Sequence, residues 1–239
     1  MYGHRARIGY TSPPAATEVF PYEFYKIVPE GVTLVVHTLP LIDRTSDEVD
    51  RGYEASLRAA HTMARAGVSV VVLGGLPINI SKGYRNADEM VADLEREIGV
   101  PVISSFSAQR DALSALGSNK ALLVFPHDAH HSERHSEQAR ELGLTPVGHA
   151  ALGRHFIDLG RISEAEVEAA IEKGLEAAPD ADTVYCFCPH YATANLIDRI
   201  EKRHRLTMMT SLQAIVWKAL RTSGVDDRIQ GYGRLLRDF

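Results

Sequence analysis

The sequence predicts an α/β protein built on parallel sheets. Short apolar runs alternate with longer amphipathic segments along the 239-residue chain, and this alternation is typical of strands and helices that follow one another in a parallel sheet. Of the residues, 45% are hydrophobic and 24% are charged, which is ordinary for a globular protein with a sizeable core. The length fits one large domain or two small lobes.

Seven apolar runs are predicted to be strands. They lie at 8–10, 33–37, 68–73, 102–104, 121–125, 183–187 and 207–209. Between them, five segments carry apolar residues at helical spacing, and several are opened by an Asp or Ser cap. These predicted helices lie at 47–66, 87–98, 133–142, 164–177 and 212–220. Because ligands bind beyond the carboxyl ends of parallel strands, the residues just after each run are the candidates for a site.

Composition and charge exclude several classes of function. The formal net charge is −5, and the basic residues form no stripe that would bind nucleic acid. No apolar run approaches the roughly 18 residues that span a membrane, and the N-terminus has no apolar stretch long enough for a secretory signal. The two cysteines, Cys186 and Cys188, are too close for a structural disulfide. We therefore expect a cytoplasmic protein with reduced thiols and no nucleic-acid or membrane partner.

Turn residues at the strand ends recur in the same order in both halves. The paired turns are Thr11-Ser12-Pro13-Pro14 with Pro126-His127-Asp128, and Gly75-Leu76-Pro77 with Cys188-Pro189-His190. A helix opens after each second turn, near Ser105 and Ser211, which we interpret first as helix caps and second as carboxylate or phosphate donors. A duplicated α/β lobe is the simplest account. We predict a first lobe of 1–104 plus 212–239, a second lobe of 105–211, and a cleft between them.

Four short motifs follow one another along almost the whole chain. They are Ile8-Gly9 with Pro13-Pro14, a segment from Val71 that ends Ser81-Lys82-Gly83, Ala178-Pro179-Asp180-Ala181-Asp182 ahead of Cys188, and Gly231-Tyr232-Gly233-Arg234-Leu235. In order and spacing they resemble the aspartate/glutamate racemase superfamily, and most closely its branch of arylmalonate decarboxylases and maleate cis-trans isomerases. The resemblance implies two pseudo-symmetric Rossmann-like lobes, an active site in the cleft between them, and neither a cofactor nor a metal.

The resemblance also implies chemistry on one side of the cleft. Racemases of the superfamily place one cysteine from each lobe on opposite faces of the substrate, but here Gly75 stands opposite Cys188. Two-base racemization therefore lacks its second cysteine, and nucleophilic isomerization lacks the cysteine that would attack the substrate. The arylmalonate decarboxylases share this glycine and cysteine, and in them the thiol protonates an enediolate formed by loss of carbon dioxide. By this resemblance Cys188 is the catalytic acid and a small carboxylate is the substrate.

Further residues are assigned around this acid. His127 stands where the decarboxylases have tyrosine, so it is the second catalytic candidate, as a donor to a carboxylate or as a base. The decarboxylases follow their glycine with Thr and Ser hydroxyls that help to stabilise an oxyanion, whereas this chain has Leu76 and Pro77. Replacement donors are sought among Thr11, Ser12, His127 and His190. The residues expected to contact substrate are Ser12, Pro13, Pro14, Gly75, Leu76, Pro77, Pro189 and His190.

Two other functions stay open. One is an isomerase or racemase of a small acid, with His127 or water in place of the missing cysteine. The other is a small-acid binding protein that has lost the chemistry, as the loss of both hydroxyls suggests. A metal site is not expected at His127, His131 and His135, because the run lacks a fixed motif such as His-Glu-x-x-His. Arg85, Arg154 and Arg161 are candidates for carboxylate contact, and homo-oligomerisation is left open.

Overall fold

Two parallel sheets of four strands each form the centre of the structure, a computed structural model that describes residues 2–75 and 87–239. The strands of the first sheet are β1 Ala6–Pro14, β2 Val32–Leu41, β3 Val70–Leu73 and β4 Val102–Ser104. Those of the second sheet are β5 Lys120–Phe125, β6 Thr145–Ala151, β7 Thr183–Cys186 and β8 Thr207–Thr210. The strand orders are β2-β1-β3-β4 and β6-β5-β7-β8. Both halves therefore have the same topology, and the predicted α/β class with two similar lobes is confirmed.

Helices cover both faces of each sheet. Within the described residues they are α1 Val19–Ile27, α2 Ser46–Arg65, α3 Ala87–Ile98, α4 Ser105–Leu116, α5 Ser132–Glu141, α6 Glu164–Ala177, α7 Ala194–His204, α8 Ser211–Thr222 and α9 Gly233–Asp238. Val70 and Val72 of β3 pack into one apolar cluster, whereas Val71 and Leu73 pack into another. Alternate residues of this strand are thus buried on opposite faces, as expected for a central parallel strand. In the part of the chain that the structure describes, no helix is both long and apolar enough to cross a membrane.

Helices α4 and α8 each pack against the sheet of the other half of the chain. Helix α4 follows the last strand of the first sheet, yet its Leu113 and Leu116 pack in a cluster with Leu123 of β5. Helix α8 follows the last strand of the second sheet, and its Ile215 packs in a cluster with Ile8 of β1. Both helices begin at the carboxyl ends of their strands. This exchange brings the N-termini of α4 and α8 to the region between the two sheets.

Four elements, which are β6, α1, α7 and α9, had no counterpart among the predicted helices and strands. Strand β6 contains Pro146 and Gly148, residues that weaken a strand pattern; as the edge strand of its sheet, it can accept a proline. Helix α1 has Pro21 in its first turn, where the missing N–H costs nothing. Helix α7 has no side-chain cap of its own. Its first backbone N–H groups bond instead to the carboxylate of Glu23, about 170 residues earlier, which no local window of sequence contains.

Candidate active site

A cavity lies where the carboxyl ends of the inner strands of both sheets meet. Six of the residues that we expected at the site line it, and these are Pro13, Gly75, His127, Cys188, Pro189 and His190. The other two in described segments, Ser12 and Pro14, are buried in β1 and are not among the lining residues. Leu76 and Pro77 lie outside the described residues, and so does Arg85. The structure thus brings together the ends of both repeats.

Gly75 and Cys188 occupy equivalent positions in the two halves. Each residue is the second after its strand, β3 for Gly75 and β7 for Cys188. Each also has a left-handed backbone, with φ of 82° at Gly75 and 70° at Cys188. Glycine adopts this conformation readily, whereas a residue with a side chain loses stability in it. The second repeat therefore keeps a thiol in a conformation that favours glycine, and the thiol points into the site.

The environment of Cys188 keeps its thiol protonated. The residue is partly exposed and lines the cavity. Burial of the sulfur raises its pKa to about 11, although a hydrogen bond from the His190 backbone and the positive charge of Arg44 act in the opposite direction. A thiol with this pKa is neutral at physiological pH and is a proton donor rather than a nucleophile. Cys186, by contrast, is fully buried in the core beneath the site.

His190 is held in place by its neighbours and is not free to titrate. Its Nε2 lies 3.3 Å from the Tyr10 hydroxyl and its Nδ1 lies 3.1 Å from the Thr17 hydroxyl. Burial lowers the pKa of the ring to about 3. Both ring nitrogens are engaged, so His190 interacts with the Cys188 thiol through a hydrogen bond from its backbone N–H and not through its ring. The ring itself fixes the loop that carries Cys188 against β1.

His127 accepts a hydrogen bond from Arg44 across the cleft. The Arg44 Nη1 lies 2.9 Å from the His127 Nε2, and the guanidinium lies over the Phe156 ring, with its Cζ 5.3 Å from the ring centroid. Burial and the adjacent Arg44 charge lower the pKa of His127 to about 3. The imidazole is therefore neutral and its Nε2 lone pair is occupied. His127 is in the site, but in this geometry it orients Arg44 and has no free lone pair to act as a base.

Two hydroxyls at the cavity are already used within the protein. The Ser211 hydroxyl donates to the Gln109 Oε1 at 2.6 Å, and the Tyr185 hydroxyl donates to the same oxygen at 2.5 Å.

The helix caps lie one residue earlier than predicted, because Ser104 caps α4 and Thr210 caps α8. Ser105 and Ser211 are instead the first residues of their helices, and both line the cavity. The positive ends of two helix dipoles therefore face the site.

Apolar side chains form much of the remaining wall. They are Leu41, Val49, Phe106, Leu142, Phe156 and Phe187. Such a wall excludes water and favours an apolar substituent on a ligand. A second, polar depression adjoins the cavity and shares Arg44, Val49, His127 and Phe156 with it. The Arg44 and His127 pair thus separates an apolar interior from a polar outer groove.

The histidines of α5 and the turn before it lie side by side. The ring centroids of His127 and His135 are 6.0 Å apart, and those of His127 and His131 are also 6.0 Å apart. His135 is buried, and burial lowers its pKa to about 4. Among the described residues, no group of three or more His, Cys, Asp or Glu side chains is arranged to hold a metal ion. The His135 ring packs against Phe125 and Phe187, with ring centroids 4.3 and 4.7 Å away.

Arg44 is the site residue that sequence reasoning missed. Strand β2 ends at Leu41, four residues beyond the predicted end at 37, so Arg44 follows the strand closely and belongs to the turns that we searched. Arg154, which we did consider, pairs with Glu166, and Arg161 pairs with Asp158 on the surface. A usable signal was present at Thr45 and Glu48, which form a capping box at the start of α2. That motif places Arg44 in the strand-to-helix turn.

Two lobes of identical strand order, with a cavity lined by a thiol from one half and by glycine at the equivalent position of the other, define a class of two-lobed α/β proteins. A family model described as arylmalonate decarboxylase matches residues 8–236, and the chain belongs to this family. It is 26% identical over 230 residues to arylmalonate decarboxylase of Bordetella bronchiseptica, and the match covers 95% of each chain.

Solved structures agree with this assignment. The structure of unliganded arylmalonate decarboxylase matches with a TM-score of 0.84 and 26% identity, over 98% of this chain and 100% of that chain. The maleate isomerase Iso from Pseudomonas putida S16 matches with a TM-score of 0.86 and 21% identity, over 98% of each chain. Both branches that the sequence resembles therefore have the fold observed here.

Proposed function

We propose that the protein is a cofactor-independent lyase that decarboxylates a small malonate-type acid carrying an apolar substituent. The observation that carries the proposal is the pair of equivalent left-handed positions, with a protonated thiol at Cys188 and glycine at Gly75. One thiol on one side of a cleft can deliver a proton to one face of a carbanion. Membership in the arylmalonate decarboxylase family supports this reaction over others that need such a proton.

The proposed reaction has two steps. The bond between the α-carbon and one carboxylate breaks, carbon dioxide leaves, and the electron pair spreads into the retained carboxylate as an enediolate. The Cys188 thiol then transfers its proton to the α-carbon. Its pKa of about 11 suits a donor to a strongly basic carbanion, and the thiolate that remains regains a proton from solvent water. The net reaction consumes one proton and releases one carbon dioxide.

The wall of the cavity supports this chemistry. A carboxylate that faces apolar side chains such as Phe106 and Phe187 is poorly solvated, which favours its departure as neutral carbon dioxide. Helices α4 and α8 direct their positive ends at the cavity, where an enediolate would carry its charge. The proposed substrate contacts are Pro13, Gly75, Pro189 and the His190 backbone, with Leu76 and Pro77 added from the sequence alone.

The isomerase or racemase alternative has less support. It requires a second base or nucleophile opposite Cys188, and Gly75 supplies none. His127 is neutral, and its Nε2 accepts a hydrogen bond from Arg44. We also propose a cytoplasmic location, because the two cysteines are unpaired thiols and the Cys-x-Cys spacing does not suit a structural disulfide. The proposed lobe boundaries remain 1–104 plus 212–239 and 105–211.

A substrate panel with mass detection tests the proposal. The wild-type protein and Cys188→Ala are incubated with phenylmalonate, methylmalonate, maleate and a set of amino acids. We expect carbon dioxide release from a substituted malonate by the wild-type protein, and none above background by Cys188→Ala. Conversion of maleate, or α-carbon deuterium exchange in D₂O without carbon dioxide release, would select the isomerase or racemase. Binding of these acids without turnover would select the binding protein.

A further inference from the structure

Arg44 is a cation in the cavity that has no anionic partner among the described residues. It lines both the apolar cavity and the outer polar groove, and burial lowers its pKa. A guanidinium nevertheless stays charged in a protein. No Asp or Glu among the described residues forms an ion pair with it; the hydrogen bond it makes to another side chain goes to neutral His127. A partly buried charge is costly when it is unpaired, so this site is built to receive an anion.

The backbone of Arg44 supports a functional role. Three residues other than glycine have positive φ among the described residues: Arg44 at 60°, Cys188 at 70° and Arg205 at 56°. Arg205 is the C-cap of α7, where a left-handed residue ends a helix in the usual way. The other two both line the cavity. Unfavourable backbone conformations persist where the surroundings hold them, and they cluster at active sites.

Three other polar side chains at the cavity are already engaged within the protein. The Ser211 and Tyr185 hydroxyls both donate to Gln109, and the His190 ring is engaged by Tyr10 and Thr17. Arg44 uses Nη1 toward His127, and a guanidinium has five N–H donors in a planar fork that matches a carboxylate. It is therefore the described side chain best able to bind an anionic group.

We propose that Arg44, oriented by His127, binds the carboxylate that the substrate retains and stabilises the enediolate that forms on it. This assignment rests on the proposed decarboxylation and names its charge-stabilising group. A cation beside the departing carboxylate would stabilise the reactant and oppose its loss, whereas beside the retained carboxylate it is matched to the charge that develops. Arg44 would then supply the stabilisation that Leu76 and Pro77 cannot provide with hydroxyls. His127 acts as a positioning residue.

Direct binding of phenylacetate tests the assignment without any turnover. Phenylacetate carries only the carboxylate that a phenylmalonate decarboxylase would retain. Its affinity is measured by calorimetry for the wild-type protein, Arg44→Met, Arg44→Lys and Arg134→Met. Arg134 is an exposed arginine of the outer groove, so Arg134→Met makes the same charge change without removing the proposed contact. Thermal unfolding of each variant confirms that it is folded.

We expect Arg44→Met to weaken binding about 10- to 100-fold, the usual effect of losing a charge-assisted hydrogen bond. Arg44→Lys keeps the charge but loses the fork, so its loss should be intermediate. Arg134→Met should change affinity by less than about 2-fold, because an exposed charge is screened. Unchanged affinity in Arg44→Met, an equal loss in Arg134→Met, or no binding to the wild-type protein would overturn the assignment.

A double-mutant cycle tests the role of His127. His127→Leu should weaken phenylacetate binding when Arg44 is present and have little further effect in Arg44→Met, because a positioning residue acts through its partner. Additive effects would show that His127 acts independently of Arg44. The two levels of proposal are separable, since Arg44-dependent binding without carbon dioxide release from phenylmalonate would contradict the decarboxylase and leave the carboxylate site in place.

Discussion

Replacing Cys188 with glycine should abolish the activity and yet leave the protein more stable than replacing it with alanine. Cys188 has φ of 70°, a region where a side chain costs about 1 kcal/mol or more and glycine does not. Cys188→Ala and Cys188→Gly both lack the thiol, but only the glycine variant removes the backbone strain. We therefore expect the free energy of unfolding of Cys188→Gly to exceed that of Cys188→Ala by about 1 kcal/mol. In a chain of this size this corresponds to roughly 2–4 °C in Tm.

The assay combines thermal unfolding with turnover of the malonate that the panel identifies. Arg205→Gly is the matched control, because Arg205 has a similar φ of 56° at the end of α7, away from the cavity. It should gain a similar stability and keep full activity. If Cys188→Gly were no more stable than Cys188→Ala while Arg205→Gly gained stability, the backbone strain assigned to Cys188 would be wrong.

Three further outcomes are expected. The turnover rate should be constant from about pH 6 to 9. Cys188 stays protonated in this range because its pKa is about 11, and His127 stays neutral because its pKa is about 3. A rate that rises or falls tenfold per pH unit within this range would contradict these protonation states. The free energy of unfolding should fall as the pH drops from about 6.5 toward 3. The cause is that His127, His135 and His190 have lowered pKa values in the folded protein, so the unfolded chain binds more protons. Acid unfolding followed by circular dichroism would show no such loss if these rings were solvated. Glu23→Ala should lower the free energy of unfolding by about 1–3 kcal/mol, because it leaves the N-terminal N–H groups of α7 unpaired. A urea unfolding curve that matches that of the wild-type protein would contradict the capping role of Glu23.

Local sequence patterns were enough to predict the architecture but not every element. Continuous apolar runs such as Val70–Leu73 have few alternatives to a buried strand. Helix α7 was missed because its N-terminus is capped by Glu23 of α1, a contact that forms only in the folded protein. The end of β2 was placed too early because its last residues, Thr38 to Leu41, include a proline, and proline is disfavoured inside strands.

The site was predictable where it depends on strand ends and less so where it depends on contacts across the cleft. Cys188 and Gly75 are each the second residue after a strand, so the repeat located them. His127 was also located, but its role depends on Arg44, which lies 83 positions earlier in the chain. Ser12 is the second residue after the predicted strand 8–10, yet β1 continues to Pro14 and buries it. Strand β1 runs four residues beyond its predicted end, and this difference changed which side chains reach the cavity.

The stereochemistry of the reaction in D₂O shows directly whether one thiol protonates one face of the substrate. The substrate is a malonate with two different substituents on the α-carbon, such as methylphenylmalonate, and the product is analysed by mass spectrometry and chiral chromatography. We predict a product with one deuterium at the α-carbon and a single handedness, and no enzymatic product from Cys188→Ala. A racemic product from the wild-type protein, or full turnover by Cys188→Ala, would contradict protonation by one thiol on one face of the cleft.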